Sequence, residues 1–232
     1  MDRPFVFINS AVSADGKISS FLHKQIRISG KIDLARVDEL RASSDAIMVG
    51  VGTILADDPG LKVKSELLRK ERLERGTHDN PLRIVADSFA RTPPDAEVLG
   101  DGCIIAVSRA APPERLAALS DRCKIFVSGV DRANLIELMR FLHGIGVKRL
   151  MVEGGATLSW SMISEGLVDE IYVYIGNMLI GGEAAPSLLG GAGFSEDFPK
   201  LKLISLERQG DGVLLRWHVT GVRPDSLLLQ EN

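Results

Sequence analysis

The chain has little of what would bind a metal, a membrane or a polyanion. Its 232 residues include only two cysteines, Cys103 and Cys123, and four scattered histidines, His23, His78, His143 and His218. Neither cysteine has Cys-x-x-Cys or metal-ligand spacing, and each opens an apolar run. Both are expected as buried, reduced thiols in a cytoplasmic setting, with no metal site. Each histidine reads as a surface or helix-end residue. Long apolar runs are missing too. Phe5-Val6-Phe7-Ile8 gives way at once to Asn9 and Ser10, too short for a signal peptide or a membrane span. Charge of one sign is scarce: 28 Lys and Arg against 31 Asp and Glu leave a net −3. That offers no general attraction to nucleic acid or anionic lipid, so any phosphate must be held by a local group of donors. A Gly-x-Ser-x-Gly elbow, a Walker loop and the zinc-deaminase motif are absent, which removes hydrolase, kinase and deaminase readings.

What is present is ordinary for a globular α/β protein: 45% hydrophobic and 25% charged residues. A chain of this length buries roughly 70% of its unfolded surface. Strands are expected at Phe5–Ile8, Ala46–Val49, Leu82–Ala86, Cys103–Val107, Lys124–Val127, Arg149–Val152 and Glu170–Ile175. Many are continuous Val/Ile/Met runs, the pattern of parallel strands covered on both faces. Ser29 is placed to cap a helix running to Ala42, with Leu34, Val37 and Leu40 turned inward. Leu135, Leu138, Met139 and Leu142 form a core-facing helical stripe stopped by Gly144 and Gly146. A further helix spans about Ala156 to Glu165. Leu201–Glu207 and Val213–Val219 flank Gln209-Gly210-Asp211-Gly212, an antiparallel hairpin signal. Residues 65–80 form a charged insertion, a solvated helix or mobile loop without chemistry. No linker or repeat divides the chain, so one domain over 1–232 is expected.

In open α/β sheets, ligands gather beyond the carboxyl ends of the strands, so the residues there are the candidates. Gly50-Val51-Gly52-Thr53 leads into Ile54-Leu55-Ala56-Asp57. Its glycines admit close backbone approach and its helix start can aim N–H groups at a phosphate. A plain tight turn is an equal reading, and Leu55 stands where the third glycine of a Gly-x-Gly-x-x-Gly fingerprint would fall. Glu153-Gly154-Gly155-Ala156-Thr157 is the second such turn. A glycine pair opening a helix seats a pyrophosphate, whereas Glu153 alone could merely complement the helix dipole. Two such turns in one chain favour a ligand. After the third strand, Ser88 is followed by Arg91, which could pair with the extra ribose phosphate of NADPH or simply lie on the surface. Asn9 can point its amide into the cleft, and Asp15 reads first as a turn residue.

Three segments carry a resemblance: Asn9-Ser-Ala-Val-Ser-Ala-Asp-Gly-Lys-Ile, Ile47-Met-Val-Gly-Val-Gly-Thr-Ile-Leu-Ala-Asp-Asp-Pro and Val152-Glu-Gly-Gly-Ala-Thr-Leu. Together with Pro81-Leu-Arg-Ile-Val-Ala-Asp-Ser and Gly166-Leu-Val-Asp-Glu-Ile-Tyr-Val-Tyr-Ile, they make the chain resemble the riboflavin-pathway reductases from end to end. The likeness is to the stand-alone archaeal and fungal type, and also to the reductase half of the bacterial bifunctional deaminase–reductase. It implies a dihydrofolate-reductase-like fold: a mixed, mostly parallel sheet with helices on both faces and an antiparallel C-terminal hairpin. It also implies a homodimer and NADPH, with NADH possible, as hydride donor. The implied substrate is 2,5-diamino-6-(ribosylamino)pyrimidinone 5′-phosphate, whose ribosyl group becomes ribityl. Position by position, it implies cofactor contacts at Thr53, Asp57, Ser88 and Gly154, Gly155, Ala156 and Thr157. Arg27, Leu61, Lys64 and Glu153 fall where the family lines its substrate pocket, and Asn9 belongs to its first motif. Ala86 departs from the usual valine or isoleucine, and the insertion before Pro81 is long.

The implied reaction opens the ribosylamine to an imine and reduces the sugar C1′. It needs no protein nucleophile, and orientation in a dry pocket lowers such barriers by roughly 7–11 kcal/mol. Glu153 is the candidate catalytic acid, with Asp57 or a bound water as alternatives. Lys64 and Arg27 are the candidates for the 5′-phosphate. Three other activities compete. One is the same reduction on deaminated 5-amino-6-(phosphoribosylamino)uracil. Another is a folate-type reductase using Asp33 as its pterin carboxylate. The third is a nucleotide-binding regulator without catalysis.

Overall fold

A computed structural model describes residues 2–24 and 26–221; the last eleven positions of the expected domain, 222–232, lie outside it. One nine-stranded sheet forms from β1 (Phe5–Val12), β2 (Ala46–Gly50), β3 (Leu82–Ala86), β4 (Cys103–Val107), β5 (Lys124–Val127), β6 (Arg149–Val152), β7 (Glu170–Ile175), β8 (Lys200–Gln209) and β9 (Gly212–Thr220). Its order is β5-β4-β3-β2-β6-β1-β7-β9-β8. The first seven strands in that order pair in parallel, and β9 and β8 close the sheet as the expected antiparallel hairpin.

Strands β2 and β4 are continuous apolar runs because helices cover both faces, whereas β1, β3 and β7 admit Asn9, Arg83 and Glu170. On one face, α5 (Leu135–Gly144) and α6 (Ala156–Ser164) pack their apolar stripes against Val6, Ile8, Met48, Ile84 and Val152. The other face, with Phe7, Ile47, Val49, Val85 and Met151, is covered by α1 (Lys31–Ala42), α2 (Val51–Asp57) and α4 (Pro113–Ser120). Asn134 caps α5 by accepting from the Glu137 N–H at 3.0 Å. Helix α4 begins at Pro113, where a missing N–H costs nothing.

Five local expectations change. Strand β1 runs past Ile8 to Val12 because Asn9–Val12 pair with Tyr172–Ile175 of β7, so Asn9 lies within the strand. Gly30, not Ser29, is the N-cap of α1; the Ser29 hydroxyl donates to the Asp33 carboxylate instead. Leu34 is exposed rather than inward, since it faces an open cleft, while Val37 and Leu40 pack on the core. Both cysteines are free as expected, but only Cys103 is buried; Cys123 is half-buried on the short edge strand's approach. The insertion holds α3 (Glu66–Glu74), capped by Ser65. It is anchored rather than loose: buried Arg72 donates to the carbonyls of Ala42, Ser44 and His78 at 2.8–2.9 Å.

Candidate active site

Strand β6 lies between β1 and β2, so the carboxyl ends of these three strands meet at one place. A cleft of about 870 Å³ opens there. Strand β1 contributes Asn9 and Ser10, α2 contributes Gly52, Thr53 and Asp57, and the turn after β6 contributes Glu153 through Thr157. Arg27, from the loop after β1, and Lys64, just before α3, complete the wall.

The two glycine turns are joined to each other. The Gly50 N–H donates to the Gly154 carbonyl at 3.1 Å. Gly154 and Gly155 adopt φ of +134° and +89°, a region that side chains rarely enter. Gly155 is the N-cap of the nine-residue α6 and offers no side-chain cap, so side chains leave its first-turn N–H groups open. A Cβ on Gly52 would meet no protein atom within 4 Å, and one on Gly154 would sit 3.8 Å from Thr53 Oγ1. Open N–H groups, positive-φ glycines and a threonine hydroxyl on one wall fit a phosphate of a dinucleotide.

Charged residues also line the cleft, and α1 braces two of them, Lys64 and Glu153. Arg36 bonds Asp33 Oδ1 through Nε and NH2 at 2.9 and 2.6 Å, and donates to Asn9 Oδ1 at 2.8 Å. Asp38 accepts the backbone N–H groups of Lys64 and Ser65 at 2.7 and 2.8 Å. Arg41 grips both oxygens of Glu153 at 2.6 Å. Burial disfavours the Arg41 charge, but the carboxylates of Glu153 and Asp38 outweigh that and lift its guanidinium above the ordinary range. Asp57 sits at the cleft mouth, where partial burial pushes its carboxyl up. Asp15 accepts from the Ser13 hydroxyl and from the N–H groups of Ile180 and Gly181, which together hold its carboxyl down at about 2.

The structure thus brings Asn9, Arg27, Thr53, Asp57, Lys64 and Glu153–Thr157 to one cleft. Leu61 is instead buried in the core beneath the loop that carries Lys64. Ser88 and Arg91 follow β3 and stand outside the cleft wall. The Ser88 hydroxyl accepts the Ala133 N–H, and Arg91 lies 3.6 Å from Asp87. Sequence reasoning missed Arg36, Asp38 and Arg41. Their signal was present in the i, i+3 acid–cation pairs Asp33/Arg36 and Asp38/Arg41, repeated along one helix. Asp33, the carboxylate that a folate-type reductase would need, is 1% exposed and has both oxygens occupied by Ser29 and Arg36. Among the described residues, no cluster of three or more His, Cys, Asp or Glu could hold a metal ion, and no helix is long and apolar enough to cross a membrane.

A mostly parallel sheet with a hairpin edge and a polar cleft across β1, β2 and β6 defines an α/β fold shared with pyrimidine reductase-like proteins. The chain superposes on such a protein from Corynebacterium diphtheriae with a TM-score of 0.83 at 19% identity, covering 94% of this chain and 92% of that one. On Acinetobacter baumannii RibD the TM-score is 0.78 at 24% identity, over 95% of this chain and 59% of that one. The chain belongs to the RibD C-terminal domain family, which matches residues 4–215. It is 50% identical over 212 residues to the 2,5-diamino-6-ribosylamino-4(3H)-pyrimidinone 5′-phosphate reductase of Archaeoglobus fulgidus, covering 90% of this chain and 95% of the relative. It is 45% identical over 223 residues to the protein of that name from Methanothermobacter thermautotrophicus, covering 94% of this chain and all of the relative.

Proposed function

We propose that the chain reduces the ribosyl group of 2,5-diamino-6-(ribosylamino)pyrimidinone 5′-phosphate to the ribitylamino form, with NADPH as hydride donor. Relatives at 50% and 45% identity carry that reductase name, and both match nearly their whole length. The observation that carries the reading is one cleft lined both by a glycine-built phosphate seat and by Arg27, Lys64 and Glu153.

In this reading, Thr53, Asp57 and the Gly154–Thr157 turn hold the nicotinamide half of the cofactor. Bound there, the cofactor supplies a hydride for the sugar C1′. Ser88 and Arg91, at the end of β3, serve its distant half, with Arg91 favouring NADPH over NADH. Arg27 and Lys64 take the 5′-phosphate through charge-assisted hydrogen bonds. Asn9, its amide oxygen held by Arg36, borders the sugar. A proton must reach the ring oxygen as the sugar opens, and Asp57, whose carboxyl burial pushes up, is suited to carry it. We also assign a cytoplasmic location and a homodimer. In the dimer the edge strand β8 meets a second copy, because Leu201, Leu203, Ile204 and Leu206 are each roughly half exposed along a strand with one open edge.

NADPH oxidation measured with the diamino pyrimidine, its deaminated counterpart and dihydrofolate side by side tests the reading. Turnover confined to the diamino compound is expected. Turnover of the deaminated compound alone would move the enzyme one step along the same chemistry, and turnover of dihydrofolate alone would overturn the assignment.

A further inference from the structure

Helix α1 crosses behind the substrate wall, and one of its side chains touches both parts of that wall. Arg41 is only 16% exposed, and its guanidinium makes three hydrogen bonds to two residues. Nε and NH2 form a fork on Glu153 Oε1 and Oε2, each at 2.6 Å. NH1 donates to the Lys62 carbonyl at 3.0 Å. One turn earlier, Asp38 accepts the N–H groups of Lys64 and Ser65. Helix α1 therefore holds the Lys62–Ser65 backbone from both sides and Glu153 from behind. The Glu153 main chain is fixed as well, by its N–H bond to the Met48 carbonyl at 2.9 Å.

Two consequences follow from this geometry. A carboxylate whose two oxygens both accept from a buried guanidinium is kept in one orientation, with its remaining lone pairs available as acceptors. A planar fork that also reaches a backbone carbonyl fixes the distance between that carboxylate and the loop that carries Lys64. A lysine ammonium at position 41 could bond one of these partners but could not span them.

We infer that Arg41 is a positioning residue, which rests on the reductase reading above. It locks Glu153 and the Lys62–Ser65 loop into one rigid grip for a sugar phosphate and keeps Glu153 as a hydrogen-bond acceptor toward the substrate hydroxyls or amine, not a proton donor. Arg41 itself touches neither substrate nor cofactor. The proton for ring opening then comes from elsewhere in the cleft.

The experiment compares the parent with Arg41→Met, Arg41→Lys, Glu153→Gln and the double variant Arg41→Met/Glu153→Gln. It measures kcat and KM for the phosphorylated pyrimidine, and NADPH Kd by quenching of protein fluorescence. Arg41→Met is expected to raise the pyrimidine KM at least tenfold while NADPH Kd stays within twofold. Arg41→Lys should recover part of that loss, and Glu153→Gln should add less than threefold on top of Arg41→Met. A normal KM in Arg41→Met, or fully multiplicative losses in the double variant, would overturn the inference. NADPH Kd doubles as the check on folding: if Arg41→Met loses it, Arg41→Lys decides, since parental KM in a folded Arg41→Lys also sinks the idea. If the parent itself does not oxidise NADPH with the pyrimidine, the functional reading fails first and takes this inference with it.

Discussion

At the scale of single residues, the cleft relies on a few charges held at fixed points. Lys64 is the clearest case. Its backbone N–H is pinned by Asp38 at 2.7 Å, while its side chain lines the cleft. Lys64→Ala therefore removes a cation without releasing the loop that presents it. A hydrogen bond to a charged group is worth about 1.5–3 kcal/mol, which corresponds to roughly a ten- to hundredfold rise in KM for the phosphorylated pyrimidine. NADPH affinity should stay nearly constant, because Lys64 is not part of the glycine seat. Steady-state kinetics with each substrate varied in turn checks this. Equal KM in variant and parent would remove Lys64 from phosphate binding.

At the scale of elements, the charged insertion becomes a buttress. The Ser65-to-Asn80 stretch reads as solvated because it is crowded with charges, and most of them are surface charges: Arg75 and Glu71, for example, form an exposed i, i+4 pair at 3.3 Å. Arg72 differs because it turns under α3 and bonds three carbonyls of the α1–β2 junction and its own return loop. Burial disfavours its charge and lowers its pKa, so those carbonyl bonds are what keep it in place. Arg72→Met strands three acceptors and should lower unfolding free energy by about 2–4 kcal/mol. Arg75→Ala should change it by less than about 0.5 kcal/mol. Urea titration of the two variants tests the contrast, and equal midpoints would show that α3 is not anchored through Arg72.

At the scale of the whole molecule, the sheet is asymmetric. One edge, β5, is four residues long; the other, β8, is ten residues long and bears a row of half-exposed aliphatic side chains. A long apolar edge left open is an aggregation hazard unless a partner covers it. The homodimer proposed above covers it by a self-complementary contact, the commonest arrangement in homo-oligomers. The double variant Leu203→Lys/Leu206→Lys should convert dimer to monomer, as read by light scattering coupled to size exclusion. A parent that is already monomeric, or a variant that remains dimeric, would place the contact elsewhere or remove it.

The sequence by itself determined everything carried by a short period. Strands β3, β4, β5, β6 and β7 begin and end where expected from their runs of Val, Ile, Leu and Met, even where Arg83, Lys124, Arg149 or Glu170 joins the run, because a strand covered by helices is dominated by apolar side chains. The α5 stripe and the two glycine turns are equally legible, since a 3.6-residue repeat and a positive-φ requirement leave marks within a few positions. Only the tertiary structure placed β6 between β1 and β2, which is what turns three separate strand ends into one cleft. It alone joined Arg41 to Glu153 across 112 positions and sent Leu34 outward to the cleft. An ion pair between distant residues has no local period, and the inward side of a helix is decided by what packs against it.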